Sequence, residues 1–566
     1  MRARARKIFR GGIGAVVVAV VAAVIFVKAT PFGGRGVTRV VDRATAAGVL
    51  LLNNSAEPVS LDPQVVTGAA DMRIARALFE GLLVNDPISL EPRPAAAVRY
   101  EVSDSGLEYT FHLRAGLRWS DGERITSADF LFAWQRVLSP RFASPNASMF
   151  FVVKNARAFY EGRLRAFSDT GFSAPDAQTI RIKVEHPCAT LPLLLCHPAW
   201  APVPRHVILR YGVADAPGTA WTRPGRIAGN GAFRLKTWKV ADRIEVERNP
   251  FYWNDAATRL NGVKFFAITD ALAEERAFRG GLLHITSTVP PMKVATLRAA
   301  GDAALRLDPF FSTTFIRVNT RIPPLNDVRV RRALSLALRR SEITEHVMRA
   351  GEVPAFCLTP DGVSGYTCAA HLAEDVAEAR RLLAEAGYPN GAGFPVLNYL
   401  YNDHETSRLI AQALQEMWAS KLGIRVELSS REWKVYKRAV ESGEYQLARS
   451  AWSGDYPDPA SFLELFTAHS EQNQTGWQDA AFDKAVGAAL RAPLPAARLA
   501  HFQEAEARLL DRLPVIPIAH NRNKFLIRAE VRGWHPNVLD IQSLTAVWLE
   551  KEQPCPSASP VAKAAR

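Results

Sequence analysis

Two kinds of apolar pattern alternate between residues 394 and 452, and this alternation limits the fold more than any other feature of the sequence. The segments typical of buried strands are FPVLNYLY, IRVELSS and YQLARSAW, and those typical of helices lie between them, at 407–420 and at EWKVYKRAVESG. Strands that are connected through helices lie parallel in one sheet, with the helices packed on its faces. The pattern therefore predicts an α/β domain with crossover connections.

The clearest local signals of secondary structure lie between residues 107 and 140. LEYTFHLR alternates apolar and polar residues as a half-buried strand does. Thr126 and Asp129 have the spacing of a capping box, which predicts that a helix begins there. A longer alternating stretch, 231–248, predicts a β-hairpin.

The start of the chain is typical of an export segment. Residues 2–10 carry only basic charges, and residues 11–27 carry no charge at all. Small residues at 27–29 offer a cleavage site, but the uncharged run is close to the lower limit of about 17 residues for a membrane-spanning helix. Residues 1–29 are therefore a signal peptide or an N-terminal membrane anchor, the remainder is exported, and 30–47 are expected to be a linker.

Composition excludes one class of partner. The chain has 566 residues, 48% of them hydrophobic, which is enough apolar material for several globular domains. Of the formal net charge of +14, six charges come from residues 1–29, which leaves +8 for the exported part. The remaining basic residues are mixed with acidic ones and form no long run with interleaved aromatics. Binding of nucleic acid is therefore not expected.

Four of the five cysteines form two close pairs, Cys188 with Cys196 and Cys357 with Cys368. In an oxidising compartment each pair could form a disulfide that closes a small loop, although spacing alone proves neither, and buried thiols remain an alternative. Zinc is the rival interpretation of the first pair, because His186 and His197 would complete four ligands. That spacing matches no common zinc motif, and neither a metal nor a cofactor is expected.

The segment WSGDYPDPASFLELF places acidic residues directly after a predicted strand. The chain contains no GxSxG, HExxH or P-loop motif, and we find no nucleophile and base to nominate for catalysis. The acids Asp455, Asp458 and Glu464 lack the glycine and the spacing of an EF-hand calcium loop. Taken alone, Asp455 is either a turn or capping residue or a ligand for a positive charge.

Eight blocks, taken in order along the chain, resemble the extracytoplasmic oligopeptide-binding proteins of ABC importers, within solute-binding family 5. The blocks are SLDP, LFEGLL, YTFHLRAGLRWSDGERITSADFLFAWQRVLSP, NGAFRLKTW, RNPFYWN, PPLNDVRVRRALSLALRR, AEAGYPNG and WSGDYPDPASFLELF. The resemblance covers roughly residues 48–549. It implies an α/β, two-lobed fold of the periplasmic-binding-protein type II, with an extra inserted domain and the ligand enclosed between the lobes.

The resemblance also implies a division into domains. The expected ranges are 48–79, 205–311 and 522–549 for lobe I, 80–204 for the inserted domain, 312–521 for lobe II and 550–566 for a flexible tail.

The ligand site implied by the resemblance centres on Asp455, which pairs with the N-terminal ammonium of a peptide in such proteins. The backbone from Ala451 to Ser453 would pair with the peptide main chain as an added strand, and Arg449 could bind the peptide carboxylate. The other expected contacts are the pocket walls Trp433 and Trp452, the facing strip Thr67, Gly68 and Ala69, and the loop residues Asn230 and Gly231.

The chain departs from the family pattern at several positions. Ser407 and Met348 stand where some members carry carboxylate-binding His and Lys, Asn146 replaces an aromatic residue near the ligand, and Ser312 and Ser453 occupy hinge positions that carry a disulfide in some members. These departures bear on the preferred ligand length and leave the ammonium site unaffected.

The expected function is that of a monomeric, non-catalytic protein that captures short peptides and delivers them to the permease subunits of an ABC importer. Its expected place is the periplasm or the extracytoplasmic face of the cytoplasmic membrane, with membrane attachment if the N-terminal segment is uncleaved. Within the same fold, a cell-wall peptide, an opine, a nickel chelate or haem is the alternative ligand. A secreted hydrolase and a membrane-tethered sensor are the alternative functional classes.

Overall fold

The computed structural model describes residues 39–216, 220–470, 472–492 and 494–551. The predicted export segment lies outside these ranges, as does nearly all of the predicted tail. Three larger β-sheets organise the residues that are described. No helix within these ranges is long and apolar enough to cross a membrane.

Lobe I is built on a four-stranded sheet. Its strands, in spatial order, are Val49–Asn53, Gly262–Phe266, Arg243–Arg248 and Phe233–Lys239. The first two strands are parallel and the other neighbours antiparallel, so the hairpin predicted for 231–248 is confirmed. The helices in the same parts of the chain are Val40–Ala47, Ala69–Leu78, Arg205–Tyr211, Ala271–Arg279 and Pro291–Ala299.

The first of these helices differs from the sequence prediction, because residues 40–47 were expected to belong to a linker. Val41 is fully buried, and the Thr45 hydroxyl lies 3.0 Å from Nε2 of His284 in lobe I. Gly48 ends the helix in the left-handed conformation, with φ at 68°. Only Val41 and Thr45 are buried in this short helix, so its apolar periodicity is too sparse to read from sequence.

The inserted domain carries an antiparallel sheet. Its strands, in spatial order, are Ala97–Val102, Glu108–Leu113, Thr179–Lys183 and Phe172–Asp176, with a small ladder of Leu83–Asn85 and Pro92–Pro94 beside them. The helices are Ser127–Val137, Ala156–Tyr160 and Leu191–Leu194. The predicted capping box is confirmed, because the Thr126 N–H donates to the Asp129 carboxylate over 2.8 Å.

Lobe II is built on a six-stranded sheet. Its strands, in spatial order, are Val353–Pro354, Val515–Leu526, Leu305–Val318, Leu447–Ser453, Leu397–Asn402 and Val426–Arg431. The last three are mutually parallel, which confirms the crossover connections predicted from the alternating pattern. The helices are Val328–Leu336, Arg340–Glu342, Val376–Glu385, Glu405–Leu422, Trp433–Ser442, Ala460–Leu463, Ala480–Arg491 and Pro495–Arg512.

One helix of lobe II changes its winding along its length. It begins as a short α-helix, Arg340–Glu342, and continues as the wider π-helix Ile343–Met348. Arg349 then ends it with a positive φ of 57°.

The lobe II sheet has an apolar core on each face. Phe315 and Ile316 are neighbours on the strand Leu305–Val318, point to opposite faces and are both fully buried. Phe315 belongs to one apolar cluster and Ile316 to another. Every residue of this strand from 311 to 318 is buried, although Ser312, Thr313, Thr314 and Arg317 interrupt its apolar sequence.

Two long strands connect the lobes. Leu305–Val318 and Val515–Leu526 pair antiparallel and continue out of the lobe II sheet toward lobe I, where Ile527 forms a bridge with Ile285. Their pairing register shifts between Pro309 and Thr313. Such an irregularity bends a ribbon locally, so the ribbon is the part of the connection that a change in the angle between the lobes would use.

Candidate ligand-binding cleft

The loop that follows the strand Leu447–Ser453 lies where lobe I, lobe II and the inserted domain meet. A small cavity at this point is lined by Asp455 and Tyr456 of the loop, by Met149 and His197 of the inserted domain, and by Arg76 of lobe I. A ligand bound beside this loop would therefore contact all three parts of the protein.

Asp455 is an acid without a partner. Its carboxyl makes no hydrogen bond and no ion pair with any described residue, whereas its backbone N–H donates to the Ser461 hydroxyl over 2.9 Å and holds the loop in place. The residue is reached by water, yet desolvation by the surrounding protein raises the pKa of its carboxyl. Exposure to water and partial desolvation are both expected for a side chain that faces the inside of a cleft. An incoming cation would stabilise its charge there.

Asp458, three residues further on, is satisfied within the fold. It is buried and accepts two hydrogen bonds from the Arg498 guanidinium, over 2.6 and 2.7 Å. Its Oδ1 also accepts the Ala460 N–H over 2.9 Å. This bidentate pair attaches the loop to the helix Pro495–Arg512, so Asp458 anchors the loop on which Asp455 stands.

The strand before the loop presents a free backbone edge. On one side, Leu447–Ser453 pairs over its whole length with Leu305–Val318. On the other side it pairs with Leu397–Asn402 only at Leu447 and Ala448. From Arg449 onward, this side has no strand partner in the part of the chain that the structure describes, and an extended peptide could pair with it as an added strand.

Arg449 and Trp433 are linked through a residue that the sequence did not single out, Tyr436. The Tyr436 hydroxyl donates to the Arg449 carbonyl oxygen. The Trp433 ring stacks on the Tyr436 ring, with centroids 5.6 Å apart, and the tryptophan is 54% exposed. Nε of Arg449 is buried without a hydrogen-bond partner. The structure thus places an unsatisfied donor and an exposed aromatic surface beside the free strand edge.

Trp452, the other predicted pocket residue, is half-buried on the same strand. Its indole Nε1 donates to the Ser461 carbonyl oxygen over 2.8 Å, and its ring packs against an apolar cluster of lobe II. Ser461 therefore fixes both Trp452 and the backbone of Asp455, and the strand end and the loop form one rigid element.

The facing strip from lobe I differs from the loop residues Asn230 and Gly231. Thr67, Gly68 and Ala69 are exposed at the start of the helix Ala69–Leu78. The Asn230 side chain, by contrast, is buried and bonds both the N–H and the carbonyl of Glu80, over 2.9 and 2.7 Å. Its amide is occupied in joining lobe I to residue 80, where the expected inserted domain begins, while Gly231 lines a neighbouring cavity of about 100 Å³.

Arg76 is a residue of the cleft that sequence reasoning missed. Its guanidinium makes no hydrogen bond or ion pair with the described residues, its Nε is buried, and burial lowers its pKa to about 10. It lines both the cavity at Asp455 and the cavity at Gly231. No local sequence pattern identifies Arg76 as unpaired, because its spatial neighbours are distant in sequence.

The predicted cysteine pairs are free thiols in this structure, at Cys188, Cys196, Cys357 and Cys368. The first pair is not drawn together with His186 and His197 into a metal-binding geometry. Among the described residues, the group of three potential ligands that does come together is Cys357, Cys368 and Glu506.

Two α/β lobes, a connecting ribbon and an interlobe cleft with unpaired charges and a free strand edge define the class: a protein that binds a ligand between its lobes. The chain belongs to the bacterial extracellular solute-binding proteins of family 5, whose middle-region model matches residues 91–474. The family resemblance and the two-lobed fold inferred from the sequence are both confirmed.

The relatives and solved structures include proteins with different ligands. The periplasmic oligopeptide-binding protein OppA of Escherichia coli is 34% identical over 499 residues, which cover 86% of this chain and 89% of OppA. The probable deoxycholate-binding periplasmic protein YgiS of Escherichia coli is 34% identical over 495 residues, covering 86% and 90% of the two chains. The unliganded open form of MppA, a periplasmic murein tripeptide binding protein that also occurs in Escherichia coli, superposes with a TM-score of 0.77 at 32% identity, covering 89% and 97%.

Proposed function

We propose that this protein captures short peptides in the cleft between its lobes, in the periplasm, and delivers them to an ABC importer. The observation that carries the proposal is the unpartnered carboxyl of Asp455, which faces the cleft next to the free strand edge that begins at Arg449. The similarity to OppA and MppA, which are named as oligopeptide- and murein tripeptide-binding proteins, supports the same ligand class.

The free edge and the carboxylate have different tasks in this proposal. A peptide that lies along Ala451 to Ser453 as an added strand gains main-chain hydrogen bonds, which do not depend on its side chains. Its N-terminal ammonium pairs with Asp455, and this attraction is strong because the closed cleft has a lower effective dielectric than water. Thr67 to Ala69 would contact the same peptide from lobe I.

The remaining predicted residues act on the far end and the side chains of the ligand. Arg449 would bind the carboxylate of a peptide of matching length. Trp433 and Trp452 would form walls of side-chain pockets, in which water adapts to different side chains. Asn230 would act indirectly, by holding the loop in which Gly231 lies.

Binding requires a movement of the lobes and no covalent chemistry. The domain division expected from sequence places the borders of lobe II at 312 and 521, within the two strands of the connecting ribbon. A ligand that contacts both lobes binds the closed state better than the open one and shifts the population toward it. The closed form would then be the one that the permease subunits recognise.

A thermodynamic cycle on one charge pair tests the proposal. The free carboxyl of Asp455 is removed by Asp455→Asn, and the positive charge is removed from the ligand by N-acetylating a tripeptide. Each change alone should weaken binding by at least about 30-fold in calorimetry, because it leaves the other charge unpaired. Both together should weaken binding by little more than either alone.

The control and the contrary result are equally specific. Asp104→Asn removes an exposed carboxylate from a turn of the inserted domain and should leave peptide affinity unchanged. An acetylated tripeptide that binds as tightly as the free one would refute the ammonium site. Tight binding of a bile acid by both the wild type and Asp455→Asn would assign the cleft to an amine-free ligand instead.

A further inference from the structure

A second cluster of reactive side chains lies in lobe II, at Cys357 and Cys368. Their Sγ atoms and a carboxylate oxygen of Glu506 all lie within 4.8 Å of one another, and all three residues are buried. The Cys357 thiol donates to the Thr359 carbonyl over 3.2 Å, and the Cys368 thiol donates to the Ala370 carbonyl over 3.0 Å. The fold therefore holds two thiols close together in fixed positions.

Glu506 brings the two cysteines together through the loop between them. Its carboxylate accepts the N–H groups of Leu358 and Thr359, both over 2.8 Å, and the Tyr366 hydroxyl over 2.5 Å. One acid thus fixes both ends of the loop 358–367. Because each carboxylate oxygen already accepts a hydrogen bond, Glu506 is better placed as a frame for this loop than as a ligand for a metal ion.

His520 contacts Cys357 from the neighbouring strand. The Thr313 hydroxyl donates its one hydrogen to the Leu358 carbonyl over 2.7 Å, so the 2.9 Å contact between Thr313 and Nδ1 of His520 has the histidine as donor. Nε2 then carries the lone pair, 3.7 Å from the Cys357 Sγ. A metal ion could use these two sulfurs and this nitrogen, so the experiment must separate a metal ion from a disulfide.

We propose that Cys357 and Cys368 form a disulfide in the exported protein and thereby close the ten-residue loop 358–367. Both S–H bonds break, one S–S bond forms, and two protons and two electrons leave the cysteines. A disulfide-bonded oxidant of the exported compartment takes them up by thiol–disulfide exchange and becomes a dithiol. The compartment favours this outcome because disulfides persist outside the cytoplasm.

The closed loop supports the proposed peptide site. The Ser364 hydroxyl donates to the Pro457 carbonyl oxygen over 2.5 Å, two residues beyond Asp455. Residues 362–365 also line a cleft of about 840 Å³ that faces Pro192 and Leu193 of the inserted domain. A disulfide would limit the movement of this loop and so hold the segment that carries Asp455. This second step rests on the proposed peptide-binding function.

Alkylation with mass spectrometry tests the disulfide itself. The wild-type protein, purified from the exported compartment, is unfolded in denaturant with a chelator and treated with iodoacetamide, with and without prior reduction. Without reduction, Cys357 and Cys368 should stay unlabelled and should appear in one cross-linked peptide, which Cys357→Ser and Cys368→Ser each abolish. Labelling of both residues without reduction would overturn the proposal, including the case in which folded protein binds zinc and the chelator releases it.

Reduction tests the effect on the peptide site. A reductant should lower the unfolding temperature of the wild type by roughly 2–4 °C and weaken binding of an unblocked tripeptide several-fold. The double variant Cys357→Ser/Cys368→Ser should already show both effects and should not respond to reductant. Tripeptide affinity that is insensitive to reduction would refute the coupling. If the wild type binds no peptide at all, the proposed function fails while the alkylation result still decides the disulfide.

Discussion

The two ends of the loop Asp455–Pro459 carry acids that the fold treats in opposite ways. Asp458 is buried, accepts two hydrogen bonds from Arg498 and caps the backbone at Ala460. Asp455 faces the cleft with no partner, and desolvation raises the pKa of its carboxyl. A charge that is satisfied by its own chain stabilises the fold, whereas a charge that the chain leaves unsatisfied is available to a ligand.

The same contrast occurs on the opposite side of the cleft, between two arginines one turn apart on the helix Ala69–Leu78. Arg73 forms an ion pair with Asp540 over 3.1 Å. Arg76 has no such partner and lines the cavity that also contains Asp455. In these two comparisons, Asp458 and Arg73 are paired within the fold, whereas Asp455 and Arg76 are unpaired, line the same cavity and have opposite charges.

The largest effect is expected at the paired end of the loop. Asp458→Ala leaves Arg498 buried without a counter-charge and should lower the free energy of unfolding by about 3–5 kcal/mol, as measured by urea denaturation. Asp455→Asn in the same assay should change it by no more than about 0.5 kcal/mol, because no contact within the fold is lost. If Asp458→Ala keeps the stability of the wild type and loses only peptide binding, the assignment of Asp458 to the fold and of Asp455 to the ligand is wrong.

Local patterns predict the elements of this fold well, and distant contacts account for the exceptions. The three parallel strands of lobe II and the capped helix Ser127–Val137 follow from periodicity and capping residues within each segment. The helix Val40–Ala47 depends on Thr45 meeting His284, more than 200 residues away, and a sequence window cannot contain that contact. The sequence of Ile343–Met348 likewise does not show that this segment is a π-helix and not an α-helix.

The site is less predictable than the fold, because an absent partner is a property of the whole structure. Asp455 was reached through the family resemblance, since its residue type and position fit a turn equally well. Arg76 was missed, and the Asn230 side chain proves to be bonded to Glu80 instead of free in the cleft. Which of several similar polar residues remains unpaired becomes visible only when all of its neighbours are placed.

A third acid, Glu464, extends the comparison of paired and unpaired acids to the pH dependence of stability. Burial, together with the nearby charge of Asp458, raises the pKa of its carboxyl to about 7, and no described residue donates a hydrogen bond to it. The folded state thus holds a proton that the unfolded state releases near pH 4.5, so stability should fall as pH rises from about 4.5 to about 7. Burial raises the pKa of Glu80 to about 7 as well, and its contribution has the same sign.

The variant Glu464→Gln should lack the contribution of Glu464 to this pH dependence of stability. Its free energy of unfolding should exceed that of the wild type by roughly 1–3 kcal/mol at pH 8 and differ little at pH 4. Urea denaturation at the two pH values measures both differences. Equal gains at both pH values would mean that the substitution acts through packing, and a loss at pH 8 would mean that the carboxylate has a partner after all.

The smallest effect separates the two arginines of lobe I. Arg73→Met leaves Asp540 without its counter-charge in a largely buried position and should lower the free energy of unfolding by about 1–2 kcal/mol. Arg76→Met removes a cation that nothing in the fold neutralises, so its stability should equal or slightly exceed that of the wild type in the same urea titration. In calorimetry, Arg76→Met should reduce the preference for a tripeptide that begins with Glu over one that begins with Gln, and Arg73→Met should not. If Arg76→Met is the less stable of the two variants, the guanidinium serves the fold, and the rule drawn from Asp455 and Asp458 does not extend to the second lobe.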